Sequence, residues 1–350
     1  MRRVRTALLQ VLALPGFARA FTPLLRDRAT VFVLHRLNDP ERGIPGNRAD
    51  AIRAALAYLR RERFELVHLE EVVRRSQNGD PPLRGAVAFT LDDGYAEQGV
   101  PMASIFAEFD CPSTTFVTTG FLDGDLWMWW DRIEYVLRRT RRRRIEAQLG
   151  GRDLVLEWED DAARDREQAR FIAACKQVPD AEKHRGIVGL ASGAEVELPK
   201  APPPEYAPMS WSDLRASEEL GMQFGPHTVS HPILTRATDE QVKQELAVSW
   251  GRLREEAAAP VPIFCYPNGQ LEDFGSREVG VMRELGFRAA VTGFPGYVGP
   301  VAAADASESF ELRRFALSDR LSTVAQYASG FELLKEWFRR PAPPTRAASA

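Results

Sequence analysis

Ala86-Val87-Ala88-Phe89-Thr90-Leu91-Asp92-Asp93-Gly94-Tyr95 sets an apolar, strand-like run directly before two adjacent carboxylates and a glycine that permits a turn. Far along the chain, His227-Thr228-Val229-Ser230-His231 places two imidazoles four positions apart. Together these supply three ligands for a divalent ion and leave one carboxylate for proton transfer, the set that metal-assisted hydrolysis requires. Neither cluster decides the matter alone, because Asp residues after a strand also cap helices and Asp-Gly is an ordinary turn. Their separation demands a folded scaffold to bring them together. Successive side chains of an extended chain point opposite ways, so one carboxylate can face the ion and the other the water only if the strand has already ended, with Gly94 making the turn. Pro226 and Pro232 bracket the histidine pair, which predicts a single helical turn at a strand end rather than a long metalloprotease helix.

Working outward, short β-rich runs recur at Val31 to Leu34, Ala86 to Thr90, Thr114 to Thr119, Met222 to Gly225, Val261 to Tyr266, Ala289 to Thr292 and Leu312 to Leu317. Helical patterns lie between them at Arg48 to Arg63, Ala96 to Phe109, Ser212 to Leu220, Asp239 to Ala259 and Ser276 to Leu285, with Gly221 and Gly286 as stops. Such alternation predicts parallel strands with crossover helices: an α/β fold, with its reactive side chains on one face at the strand carboxyl ends. His35, Asp92, Asp93, His227 and the segment Tyr266-Pro267-Asn268-Gly269 all fall at such ends.

Residues 124–208 break the rhythm and read as an inserted α+β segment. Trp127, Trp129 and Trp130 open it, and Arg144 to Leu149, Gly150-Gly151 and Arg152 to Trp158 read as a β-hairpin with a two-residue turn. A helical stretch leads to a linker, Pro199 to Pro208. Residues 1–28 are expected to be an N-terminal helical segment, residues 29–335 the main domain, and residues 341–350 a Pro/Ala/Ser-rich tail expected to be disordered.

The chain has 350 residues, 44% of them hydrophobic, enough for a sizeable core. Its 46 basic and 49 acidic residues leave a net charge of −3, which gives no reason to expect nucleic acid as a partner. Cys111, Cys175 and Cys265 are widely spaced and read as buried free thiols. No apolar run is long enough to span a bilayer. Arg2, Arg3 and Arg5 precede an apolar stretch, Ala7 to Leu14, interrupted by Gln10; this favours a helix docked on the domain or lying on a membrane surface, and a cytoplasmic or membrane-peripheral location, over an export signal cut near Ala18-Arg19-Ala20.

The two motifs resemble those of the NodB-type polysaccharide deacetylases, carbohydrate esterase family four. Thr90-Leu91-Asp92-Asp93-Gly94-Tyr95 is similar to their T-F-D-D-G-Y, and His227 to His231 to their H-[ST]-x-x-H. The resemblance spans roughly residues 29 to 330 outside the insertion. It implies a distorted (β/α) barrel of about seven repeats, with Asp92 as general base and Asp93, His227 and His231 holding one divalent metal ion, zinc or a relative. The implied substrate is an N-acetylated saccharide.

Two departures matter. The third motif, usually R-x-P-[FY]-G, reads Cys265-Tyr266-Pro267-Asn268-Gly269, so its arginine and final aromatic are missing. No histidine follows His231 to serve as the usual general acid. The layout is closest to the poly-β-1,6-N-acetylglucosamine deacetylase branch, where the histidine precedes the first motif; Leu34-His35-Arg36-Leu37 fits that placement and points to His35. Arg314 is the candidate replacement for the lost arginine beside Asp92. Tyr266, Pro267, Asn268 and Trp130 are candidates for contact with substrate or the developing oxyanion. The arginine run Arg138 to Arg144, with one Thr, reads as a solvated helix face, with an anion site for a lipid phosphate or acidic glycan as the less common alternative. His68 and His184 have no companions in the sequence. Competing functions are a glycan-binding module that keeps the metal without catalysis, and a hydrolase of another amide or ester.

Overall fold

The computed structural model describes residues 16–79, 81, 83–301 and 307–333. The stretch Ala7 to Leu14 and the tail from Pro341 lie outside these residues. Among the described residues ten strands are β1 (Thr30–Leu34), β2 (Glu65–Leu66), β3 (Ala86–Asp93), β4 (Ser113–Val117), β5 (Arg144–Leu149), β6 (Arg152–Glu157), β7 (Met222–Pro226), β8 (Ile263–Cys265), β9 (Ala289–Val291) and β10 (Phe315–Ala316).

A parallel sheet runs in the order β10-β1-β3-β4-β7, with the short β2 beside the start of β3. A second parallel pair, β8-β9, links to it at both sides through single bridges. Val261 N–H donates to the Phe224 carbonyl at 2.8 Å, and Leu312 N–H to the Ala290 carbonyl at 2.9 Å. Because Phe315, three residues after Leu312, pairs with Phe32 of β1, the strands form a ring. Those thin links are where the barrel is distorted.

Alternate residues of each strand sort into two cores. Ala86, Ala88, Val31, Phe116, Ile263, Cys265, Ala289 and Val291 form one cluster, drawn from strands all round the ring and therefore interior. Val87, Phe89, Leu91, Phe32, Phe224 and Phe264 belong to the other, against Leu56, Phe106, Leu214, Leu246, Met282 and Val324 of the surrounding helices. Those helices are Ala49–Arg61, Val100–Ala107, Trp211–Glu218, Asp239–Glu256, Ser276–Glu284 and Leu321–Ala328. The helix expected from Ala96 begins instead at Val100, after a separate 3-10 turn, because Pro101 has no N–H to give and is tolerated only in a first turn. Gly221 and Gly286 follow their helices with φ of 90° and 84°, the left-handed stop expected of them. β2 and the helix Leu69–Asn78 were not legible in the periodicity.

Within residues 124–208 the hairpin β5-β6 packs with the helices Trp129–Arg139, Asp161–Cys175 and Asp180–Gly193 around a core of their own, including Ile133, Leu156, Phe171 and Ile187. At the other end of the chain, helix Phe17–Phe21 is followed by Leu25, which is fully buried, and Phe21 meets Phe331 edge-on at 5.6 Å.

Candidate active site

Alternation along β3 sends Thr90 and Asp92 into the ring and Leu91 toward the helices. On that pattern Asp93 would leave the site. The strand has not ended there, contrary to expectation, since Asp93 is still in register with Val117 of β4. Instead Asp93 itself takes φ of 92°, followed by Gly94 at 98°, and this break in alternation returns its carboxylate to the site. A Cβ at Gly94 would lie 2.6 Å from Leu122 Cδ1, so glycine is required for space as well. Gln98 ties the corner down: its Oε1 accepts the Gly94 N–H at 2.9 Å, and its Nε2 donates to the Asp92 and His35 carbonyls.

The histidine pair is not a helical turn. Residues 227–231 form an irregular loop in which Thr228 and His231 are left-handed, with φ of 68° and 56°. Strain of this kind persists only where surroundings overdetermine it. Here Thr119 and Gly120 N–H groups donate to the Thr228 and Val229 carbonyls, each at 3.0 Å. From the opposite side, Glu245 accepts the N–H groups of Val229 and Ser230 at 2.8 and 2.9 Å and the Ser230 hydroxyl at 2.6 Å. Neither Gln98 nor Glu245 carried any sequence signal, since each acts on groups it meets only in the fold.

The result brings together the three expected ligands. Asp93 Oδ1 lies 3.6 Å from His227 Nε2 and 3.7 Å from His231 Nε2, with all three side chains buried. His227 Nδ1 donates to the Cys265 carbonyl at 2.7 Å, which fixes the tautomer and leaves the Nε2 lone pair toward Asp93. Burial pushes the His227 imidazole down to about 4 and His231 well below its usual value, so both are neutral ligands near neutral pH. Burial likewise pushes the Asp93 carboxyl up to about 7, because no cationic side chain bonds to it. One enclosed carboxylate facing two neutral imidazoles is a donor set that fits a divalent ion of zinc type.

Asp92 is paired differently. Arg314 grips it with two parallel bonds, Nη1 to Oδ1 and Nη2 to Oδ2, both 2.7 Å, and both residues are buried. Arg314 is itself held by the Thr292 carbonyl at 2.9 Å and the Thr90 hydroxyl at 3.1 Å. Burial raises the Asp92 carboxyl, but the guanidinium outweighs it and holds the group well below the usual carboxylate range. Cys265 Sγ, 3.4 Å from Arg314 Nη2, marks where the third motif lacks its arginine; the smaller side chain leaves room for one arriving from the residue before β10. His35 Nε2 stands 3.7 Å from Asp92 Oδ2 with 57% of its side chain exposed.

These groups open into a cavity of about 710 Å³. Trp130 and Asn268 line it as expected, Trp130 lying edge-on to His231 with ring centroids 4.7 Å apart and donating to the Tyr95 hydroxyl at 2.9 Å. Tyr266 also lines the cavity, its ring stacked on Phe274 at 4.0 Å, whereas Pro267 is buried and is not among the lining residues. The inserted segment supplies a wall through Trp130, Glu134, Ile172, Lys176 and Tyr206. Lys176 Nζ donates to Asn268 Oδ1 at 2.6 Å, joining that wall to the barrel loop.

Residues 192–290 match the polysaccharide deacetylase family model. Among solved structures the chain is similar to the deacetylase PplD of Streptococcus pyogenes in complex with acetate, at TM-score 0.54 and 16% identity over 88% of this chain and 97% of that one. IcaB from Ammonifex degensii gives TM-score 0.54 and 16% identity over 87% and 97%. A de-N-acetylase from Aggregatibacter actinomycetemcomitans gives 0.52 and 13% over 86% and 100%. At these identities the structural likeness is one of fold. No curated protein matches the chain.

Proposed function

We propose that the protein is a metal-dependent deacetylase that hydrolyses the acetamide of N-acetylhexosamine units in a saccharide, giving free amine and acetate. The observation that carries this reading is the pairing of two unlike carboxylates: Asp93 among neutral imidazoles, and Asp92 locked by Arg314 beside the exposed His35. Asp93, His227 and His231 are the ligands for the ion, zinc or a related metal. When bound, the ion polarises the acetyl carbonyl and lowers the pKa of water at the site.

The chain's own groups do the rest. Asp92, kept ionised by Arg314, takes the proton from the attacking water. The Asn268 backbone N–H has no acceptor among the described residues and belongs to a residue of the cavity wall, so it is free to donate to the carbonyl oxygen as negative charge develops there. His35 delivers a proton to the departing nitrogen, which cannot leave as an anion. Trp130 screens His231 and gives the sugar an apolar face.

The test is acetate release from short N-acetylglucosamine oligomers, with and without chelator. Release should stop on chelation, return when a divalent ion is restored, and fall by about 10² to 10⁴ in Asp92→Asn while metal binding persists. Near-normal turnover in that variant would remove Asp92 from its role, and saccharide binding without any acetate would mark a binding module instead.

A further inference from the structure

A smaller cavity, about 330 Å³, adjoins the active-site cavity: Trp129 lines both, and Ser230, the neighbour of His231, lines the smaller one. Its other walls include Trp127, Arg132, His184 and Lys200. Arg132 is the unusual member. Elsewhere among the described residues, arginines that are not exposed have a carboxylate within 4.0 Å, as Arg36 has Glu97, Arg75 has Glu65, Arg164 has Asp161, Arg252 has Asp123, Arg277 has Glu278 and Arg314 has Asp92. Arg132, half-buried, has none. Its Nη1 lies 3.4 Å from His184 Nδ1, and its Nε is buried without an acceptor.

His184, unaccompanied in the sequence, is bound on its other side, with Nε2 3.2 Å from Asp180 Oδ2. An imidazole, whichever ring nitrogen carries the proton, brings Arg132 no negative charge. Burial, with nothing opposing it, pushes the Arg132 guanidinium down. Trp129 Nε1 is a second buried donor without an acceptor, and Lys200 adds an exposed ammonium. Asp125, exposed, is the carboxylate on the same wall and forms no ion pair with Arg132. A half-buried cation kept without a counter-charge is costly unless a ligand supplies one.

We propose that this cavity is an oxyanion subsite, taking a carboxylate or phosphate group on the fork of Arg132 with Lys200 at its rim. Its ligand reaches it beside Trp129, next to the active-site cavity. The inference stands without the deacetylase reading, because it concerns anion binding alone; with that reading, it selects saccharides that carry an acidic substituent.

Calorimetric titration of the full chain with D-glucuronate and, separately, with inorganic phosphate tests it. Metal-free protein is used, so that anions meeting an ion at the active site do not contribute. Saturable binding of one or both probes is expected, weakened about ten- to a hundredfold in Arg132→Met, as for loss of a charged hydrogen-bonding partner, and less in Arg132→Lys. Preference for glucuronate points to an acidic sugar, and preference for phosphate to a phosphorylated ligand. Absence of saturable binding, or equal binding by wild type and a folded Arg132→Met or Arg132→Lys variant, overturns the proposal.

Discussion

Asp92 and Arg314 are a buried carboxylate and guanidinium joined by two 2.7 Å bonds, and the consequences for the reaction follow from that pair. Burial alone favours the protonated acid, which is useless as a base; the guanidinium reverses the preference. Removing Arg314 leaves the burial effect unopposed, so the Asp92 pKa must rise. In Arg314→Met the acid limb of kcat/KM should therefore move upward by about one to three pH units, and the fold should lose about 3–5 kcal/mol because one partner of a buried pair is stranded. Arg314→Lys, which keeps the charge and loses the fork, should move the limb less. An unchanged pH profile in a folded Arg314→Met variant would show that something else keeps Asp92 ionised. Asp92, Asp93 and the two histidines were legible in the sequence because their spacing and strand-end placement are local. The Asp92–Arg314 pair became certain only with distances in hand.

At the scale of elements, the proposed metal-binding set depends on two pieces of backbone that regular structure does not supply: the left-handed Asp93 at the end of β3, and the loop from His227 to His231. The loop keeps its shape because its N–H and carbonyl groups are bonded from both sides, and Glu245 supplies one whole side from the helix Asp239–Glu256. Glu245 touches neither ligand and acts by positioning them. Glu245→Ala should weaken divalent-ion affinity by about 10–100-fold, the usual consequence of losing an outer support, measured by competition with a chromophoric chelator. Glu245→Gln retains an acceptor and should recover part of the loss. Equal affinity in wild type and Glu245→Ala would mean that the loop holds its strained torsions without this carboxylate. The single helical turn expected between Pro226 and Pro232 failed for a related reason: prolines forbid a long helix but do not specify the loop that replaces it.

Across the whole molecule, the barrel carries the chemistry and the inserted segment carries one wall of the cavity, each on its own hydrophobic core. The two meet through a smaller cluster in which Tyr95 and Phe121 pack with Trp127, Met128 and Tyr206, so a substitution deep in the insertion core acts first on the insertion. Ile187 is fully buried in the insertion core, far in sequence from every ligand. Ile187→Ala should cost about 2–5 kcal/mol of stability and raise KM for oligosaccharide as the wall carrying Trp130 and Lys176 loosens. Ion affinity should stay at the wild-type level. A fall in ion affinity with KM unchanged would show that the insertion supports the metal site rather than the saccharide.

The alternation of strands and helices, the placement of reactive side chains at strand carboxyl ends and the hairpin with its Gly150-Gly151 turn were all determined by the sequence itself, because periodicity, turn chemistry and capping act between residues close along the chain. Tertiary structure alone decided the closure of the ring through Leu312 and Phe315, the stacking of Tyr266 on Phe274, the supports at Gln98 and Glu245 and the use of the insertion as a wall. Each of these rests on contacts between segments distant along the chain, or on backbone torsions unfavourable in isolation that only the assembled packing holds in place.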